Sequence, residues 1–135
     1  MNPFVRWCVR RGIGLAGARE LRIVGRRSGQ VRSNVVNLLE LDGTRYLVAP
    51  RGTTEWVRNL RAAGRGELCL GRRVEAVAGV ELADADKLPV LRAYLRRWGW
   101  EVGQFFEGVD KGSTDDDELA AIAPGFPVFE VRAAG

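Results

Sequence analysis

The chain has no histidine, and its 135 residues include only two cysteines, Cys8 and Cys69. Without histidine there is no Ser-His-Asp triad and no Cys-His dyad, and most transition-metal sites lose their commonest ligand. Two cysteines are too few for a disulfide framework and suit a reducing compartment. No apolar run approaches the roughly 20 residues that a membrane-crossing helix needs. Residues 1–9 carry Arg6 within their apolar stretch and lack a small-residue cleavage site, so no secretory signal is expected. Lysine is scarce as well: 19 of the 21 basic residues are arginine. These absences point to a cytoplasmic protein without stable membrane insertion.

What is present is the balance of an ordinary folded domain, 46% apolar and 28% charged. Such a balance excludes disorder, and the length makes residues 1–135 a single domain. The net charge of +4 hides a segregation. Residues 1–73 hold 15 Arg against 5 acids, whereas residues 74–135 hold 6 basic residues against 12 acids. A genome that favours Arg codons explains arginine over lysine but not the segregation. A basic half points to an anionic partner: nucleic acid, an acidic membrane surface or a phosphorylated small molecule.

Asn2-Pro3 can open a short helix with Phe4, Trp7 and Cys8 on one stripe. Residues 21–24 and 31–41 read as strands, and Asp42-Gly43 as a hairpin turn into a return strand over 45–49. Thr53 or Thr54 caps a helix to about residue 63, with Trp56, Val57 and Leu60 on one face. Residues 67–70 and 73–82 form a second hairpin across Gly71-Arg72. There Val74, Ala76, Ala78, Val80 and Leu82 alternate, which predicts that their side is buried. Asp84 or Asp86 caps a helix with Pro89 near its first turn and Leu88, Leu91, Leu95 and Trp98 as its core stripe. Thr114 precedes an acidic helix start, and residues 126–132 close as a strand, placed by Pro127 at an edge or bulge. The sum is an α+β fold: a small barrel of about six mainly antiparallel strands with three to four short helices.

Four segments could carry chemistry. Residues 25–32 place Arg26, Arg27 and Arg32 with Ser28 in a turn bounded by Gly25 and Gly29. Guanidinium forks match phosphate or carboxylate oxygens, and glycine lets backbone N–H groups come close to them. A solvated basic turn has the same composition. Ala49, Pro50, Arg51 and Gly52 end a strand where ligand sites often sit, though most such segments are only turns. Trp56 can wall a flat ligand or anchor the core, and Asn59 can satisfy backbone groups of a neighbouring loop. Trp98, Trp100, Phe105 and Phe106 fit helical core packing, and could also roof a planar substrate.

In this order the segments resemble the deazaflavin-dependent nitroreductase family, whose members use reduced coenzyme F420 on quinones, nitroaromatics and other activated double bonds. The matching pieces are the Gly-Arg-Arg-Ser-Gly turn with its following Arg32, the Ala-Pro-Arg-Gly strand end, and the Trp56-x-x-Asn59-Leu60 helix. The resemblance covers roughly residues 20–83. It implies a split β-barrel related to flavin-binding oxidoreductases, with small-molecule substrates. The coenzyme's phosphate and acidic tail would meet Arg26, Arg27, Ser28, Gly29 and Arg32. Ala49, Pro50, Arg51 and Gly52 would line its ring or ribityl chain, and Trp56 would border the pocket. The chain departs from the pattern in a shorter loop before Trp56, in Val57 where a tyrosine follows the tryptophan, and in Trp98, Trp100, Phe105 and Phe106 where substrate-side tyrosines are expected.

Two other readings compete. One keeps the barrel but binds FMN or FAD, or works without a cofactor on a natural-product intermediate, for example as a cyclase. The other is a nucleic-acid module, against which the arginines gather at turns instead of interleaving with aromatics along a groove. An open sheet face would be buried against a second copy, giving a homodimer.

Overall fold

Two hairpin turns set the strand pairing. Asp42 (φ 51°) and Gly43 (φ 80°) adopt the left-handed backbone that matches strand twist, and they join β2 (Val31–Leu41) to β3 (Thr44–Val48). Gly71-Arg72 joins β4 (Arg65–Leu70) to β5 (Arg73–Glu81). With β1 (Ala18–Val24) and β6 (Val128–Ala133), they close an antiparallel barrel in the order β1-β2-β3-β6-β5-β4. Among the described residues three helices complete the α+β fold: α1 (Glu55–Ala63), α2 (Leu88–Val102) and α3 (Asp116–Ile122). The computed structural model describes residues 17–102 and 116–134, with 98–102 described by backbone alone. The expected N-terminal helix with Cys8, and Thr114, lie outside the described residues.

The barrel holds one core and its outer face holds another. Inside, Leu21, Ile23, Leu47, Leu68, Val77, Phe129 and Val131 meet Val57 and Leu60 of α1, which plugs one end. Outside, α2 and α3 lay Val90, Leu91, Tyr94, Leu95 and Leu119 over Leu39, Val48 and Val128. Leu91 and Leu95 thus carry the expected stripe of α2, joined by Val90 and Tyr94. The Trp98 side chain is not described.

β5 faces the opposite way from the sequence expectation. Val74 is 50% and Val80 42% exposed, while Val77 is 2% exposed. The inward side reads Glu75, Val77, Gly79, Glu81, because this nine-residue strand crosses the barrel from end to end and only its middle lies in the core. At the ends, Glu75 pairs with Arg45 at 2.6 Å and Glu81 with Arg61 of α1 at 2.7 Å. Gly79 faces Leu60, whose Cδ2 would lie 3.0 Å from an added Cβ. Inward positions here are occupied by a glycine and two acids, so the apolar alternation falls on the outer face.

Other boundaries move for local reasons. β6 pairs with both β3 and β5 and is no edge strand; Pro127 sits just before it, and its carbonyl accepts a bond from Ala49 N at 2.9 Å. Asp84 and Asp86 form a 3-10 turn of their own, and α2 begins at Leu88 with Pro89 as its second residue, where no N–H is needed. Thr54 is the N-cap of α1, yet its hydroxyl makes no capping bond.

β2 outruns β3. It pairs with β1 from Val31 to Asn37 but with β3 only from Leu38 to Leu41. Over 31–37 its edge opposite β1 therefore has no strand partner among the described residues. The barrel is split there, and this split positions the site.

Candidate functional site

The turn between β1 and β2 is tied together by its own hydrogen bonds. Gly29 N donates to Gly25 O at 2.9 Å and Gly25 N to Gln30 O at 2.7 Å, while Ser28 Oγ accepts from Gln30 N at 3.2 Å. Gly29 takes φ +71° in open space, a conformation that a side chain would strain. The turn is pinned to α1 through one residue: Asn59 Oδ1 accepts from Arg26 N at 3.2 Å and from Arg26 Nη1 at 2.9 Å. Asn59 is 4% exposed, so these bonds are sheltered. Its expected role, satisfying the backbone of a neighbouring loop, is what the structure shows.

Arg26 is half-buried, and its Nη1 also donates to Glu55 Oε2 at 2.8 Å. Glu55 stands in the first turn of α1 and is largely exposed, with Arg58 a further 3.5 Å away. The hydrogen bond from Arg26 holds the Glu55 carboxyl below its usual range, and the charges of Arg26, Arg58 and Arg27 act in the same direction. Arg27 and Arg32 are exposed and make no hydrogen bond or ion pair among the described residues.

Beside this cluster opens a cleft of about 500 Å³ lined by Val31, Arg32, Ser33, Asn34, Glu55 and Asn59. Arg32 and Asn34 pair with the core residues Ile23 and Leu21, so both point to the inner side of β2, towards α1. Ser33 points outward, and its hydroxyl donates to Glu20 at 2.9 Å. The cleft is therefore the split itself: the free half of β2 forms one wall and the start of α1 the other. Two guanidinium groups and a strand edge without partners among the described residues suit a ligand with an anionic end and a hydrogen-bonding planar body.

The expected site residues divide into two groups. Arg32 lines the cleft, Arg26 and Arg27 border it through Glu55, and Ser28 and Gly29 are exposed on the turn beside it. Ala49, Pro50, Arg51 and Gly52 lie outside its lining. Ala49 is 1% exposed in the barrel core, and Gly52 abuts Gly125 O. Trp56 packs half-buried against Phe129 with ring centres 6.1 Å apart. Phe105 and Phe106 lie outside the described residues, as do the side chains of Trp98 and Trp100. Three polar lining residues, Asn34, Ser33 and Glu55, were not among the expected ones. Asn34 alternates with Arg32 on one side of a strand, a signal that could have found it.

Elsewhere two arginines of the basic half are paired with acids. Arg45 and Arg61 of the basic half meet Glu75 and Glu81 of the acidic half, each pair through two hydrogen bonds. Cys69 is buried, and burial pushes its thiol up, away from thiolate chemistry. Among the described residues no group of three or more acids or cysteines is placed to hold a metal. No described helix is long and apolar enough to cross a membrane.

The fold is shared with solved structures of low sequence identity. An F420-H2 dependent reductase, FDR-A, superposes with a TM-score of 0.61 at 17% identity, over 86% of this chain and 94% of its own. The protein Atu2129 of Agrobacterium tumefaciens, of unknown function, gives 0.59 at 16% identity over 98% of this chain, which spans 54% of that longer protein. A structure described as a domain-swapped dimer gives 0.59 at 15%, over 90% of each chain. No curated protein matches the sequence. The pattern of one protein family matches residues 10–111, a stretch that contains the basic turn, the free half of β2 and α1. On that match the chain belongs to the F420H(2)-dependent quinone reductase family, oxidoreductases that work with coenzyme F420.

Proposed function

We propose that this protein reduces a planar, conjugated small molecule of the quinone, nitroaromatic or enone type, with reduced F420 as the hydride source. The observation that carries this reading is a pair of guanidinium groups without partners among the described residues, Arg32 in the lining of a cleft opened by the free half of β2 and Arg27 close enough to act on Glu55 of the same lining. When bound, the coenzyme supplies the hydride chemistry itself; the chain binds, orients and shields. Arg27 and Arg32 hold the anionic end, with Arg26 fixed behind them by Asn59. The N–H and C=O groups along the free edge of 31–37 and the Asn34 amide offer bonds to a flat polar ring. Pro50, Arg51, Gly52 and Trp56 lie outside the lining of this cleft and would meet the coenzyme only where its ring or ribityl chain extends beyond it, while Ala49 backs them from the barrel core. Trp98, Trp100, Phe105 and Phe106 serve on the substrate side. No histidine is required, because water reaching the open cleft can supply the proton that completes a two-electron reduction.

The protein acts in the cytoplasm as a single domain over residues 1–135, and as a homodimer. The outward apolar row of Val74, Ala76 and Val80 on β5 and the dimeric structural relative support the pairing. Light scattering of the purified protein tests it, and a monomer at all concentrations discards it.

The deciding experiment is a fluorescence titration with oxidised F420, with FMN run in parallel. Micromolar or tighter binding of F420 alone, followed by oxidation of its reduced form on adding a quinone, is expected. Preference for FMN moves the protein to the flavin enzymes that the same barrel can serve. Binding of neither removes the cofactor from this cleft.

A further inference from the structure

The Glu55 carboxylate lies where the cleft is best built to receive an anion. Its Oε2 takes the 2.8 Å bond from Arg26, its Oε1 faces Arg58, and Arg27 acts on it through space. Three arginines (26, 27 and 58) act on this one exposed acid, and Arg32 lines the same cleft. The two partners of that central bond are held very differently. The Arg26 side chain is 20% exposed, and Asn59 fixes both its guanidinium and its backbone N–H. The Glu55 side chain is 69% exposed, and the bonds that hold it come from two arginine side chains. If the carboxylate leaves, Arg26 stays aimed at the same point. An ion pair this exposed is weak in water, so the exchange is easy.

We propose that Glu55 is an internal counter-ion, holding the phosphate position of the cleft in the free protein and yielding Arg26 to a phosphate-bearing ligand on binding. The pairing keeps a half-buried guanidinium neutralised until that ligand arrives. It also sets a threshold: an incoming anion gains only its advantage over the carboxylate it displaces, together with what Arg27 and Arg32 add. A doubly charged phosphate group clears that threshold more readily than a chloride or a single carboxylate. The inference rests on the proposed function only in taking this cleft as the anion site.

The exchange is read by a double-mutant cycle with inorganic pyrophosphate as the probe, by calorimetric titration of the intact protein. Glu55→Gln is expected to tighten pyrophosphate binding roughly tenfold, the scale of one charge-assisted bond regained. Arg26→Gln, which keeps a donor for Asn59, should change wild-type affinity by no more than about twofold. The guanidinium bond to the ligand is gone in that variant, but so is the need to displace Glu55, and the two nearly cancel. In the double variant the gain should vanish. Glu81→Gln removes an equal charge at the far end of α1 and should leave binding unchanged. No gain in Glu55→Gln overturns the proposal. So does a gain that survives Arg26→Gln or is matched by Glu81→Gln, since either means a long-range field effect. If the cycle holds while F420 fails to bind, the reductase reading falls and the exchange site stands; if F420 binds and the cycle fails, only the exchange is lost.

Discussion

Two cations in this molecule make nearly the same bonds and do opposite things with them. Lys87 Nζ donates to Asp84 Oδ1 at 2.7 Å and to Ala123 O at 2.8 Å. Arg26 Nη1 donates to Glu55 Oε2 at 2.8 Å and to Asn59 Oδ1 at 2.9 Å. Each therefore meets one carboxylate and one neutral oxygen. The Lys87 side chain is only 4% exposed, and it ties the 3-10 turn before α2 to the turn after α3. Around Arg26 the carboxylate is open to water, two further arginines have no partner among the described residues, and a cleft adjoins. A buried cation with its needs met is a latch, whereas a sheltered cation with spare neighbours and room beside it is a binding site.

That contrast can be broken in three ways. The largest effect is expected at Lys87. Lys87→Met leaves Ala123 O without its donor and should destabilise the fold by about 2–3 kcal/mol, while folded molecules keep their F420 affinity. Chemical denaturation alongside the fluorescence titration measures both, and a near-wild-type midpoint would remove the latch. Next come Arg27→Ala and Arg32→Ala, each expected to weaken F420 binding by about 1–3 kcal/mol by removing a charge-assisted bond. Their melting temperatures should stay put, and unchanged affinity in both variants would mean that the anionic end sits elsewhere.

The smallest effect concerns acid. The Glu55 carboxyl titrates below its ordinary value in the folded state, so its pairing stabilises the fold above the unfolded carboxylate pKa of about 4.3. That contribution fades as pH falls through the lower, folded value. Because the pair is exposed, Glu55→Gln should leave the neutral-pH melting temperature almost unchanged and only slightly flatten the loss of stability below about pH 4. A large drop at neutral pH would show that Glu55 belongs with the latch and not with the site.

Much of the framework was legible because its signals are local. The Asp42-Gly43 turn, the Gly71-Arg72 turn, the full span of β2 and the face of α1 with Val57 and Leu60 follow from neighbours within a few residues. Asn59 was legible for the same reason, as a polar side chain beside an apolar helical stripe. The direction of β5 was not. Alternation shows that one side of a strand is apolar, but which side meets the core depends on where the barrel axis passes and on what plugs its ends. Glu75 and Glu81 point inward because Arg45 and Arg61 wait there, residues 30 and 20 positions away.

The charge asymmetry shows the same division. Composition established that the first half is basic, and the chemistry of guanidinium established that it suits anions. Only the closed barrel decided which arginines remain available. It spends Arg45 and Arg61 on acids from the second half, hands Arg26 to Glu55 and Asn59, and leaves Arg27 and Arg32 beside the free half of β2. Turns, strand spans and residue chemistry act over a few bonds and can be read along the chain. Pairing, burial and an open strand edge depend on distances in space between residues far apart in sequence, and these exist only once the chain has folded.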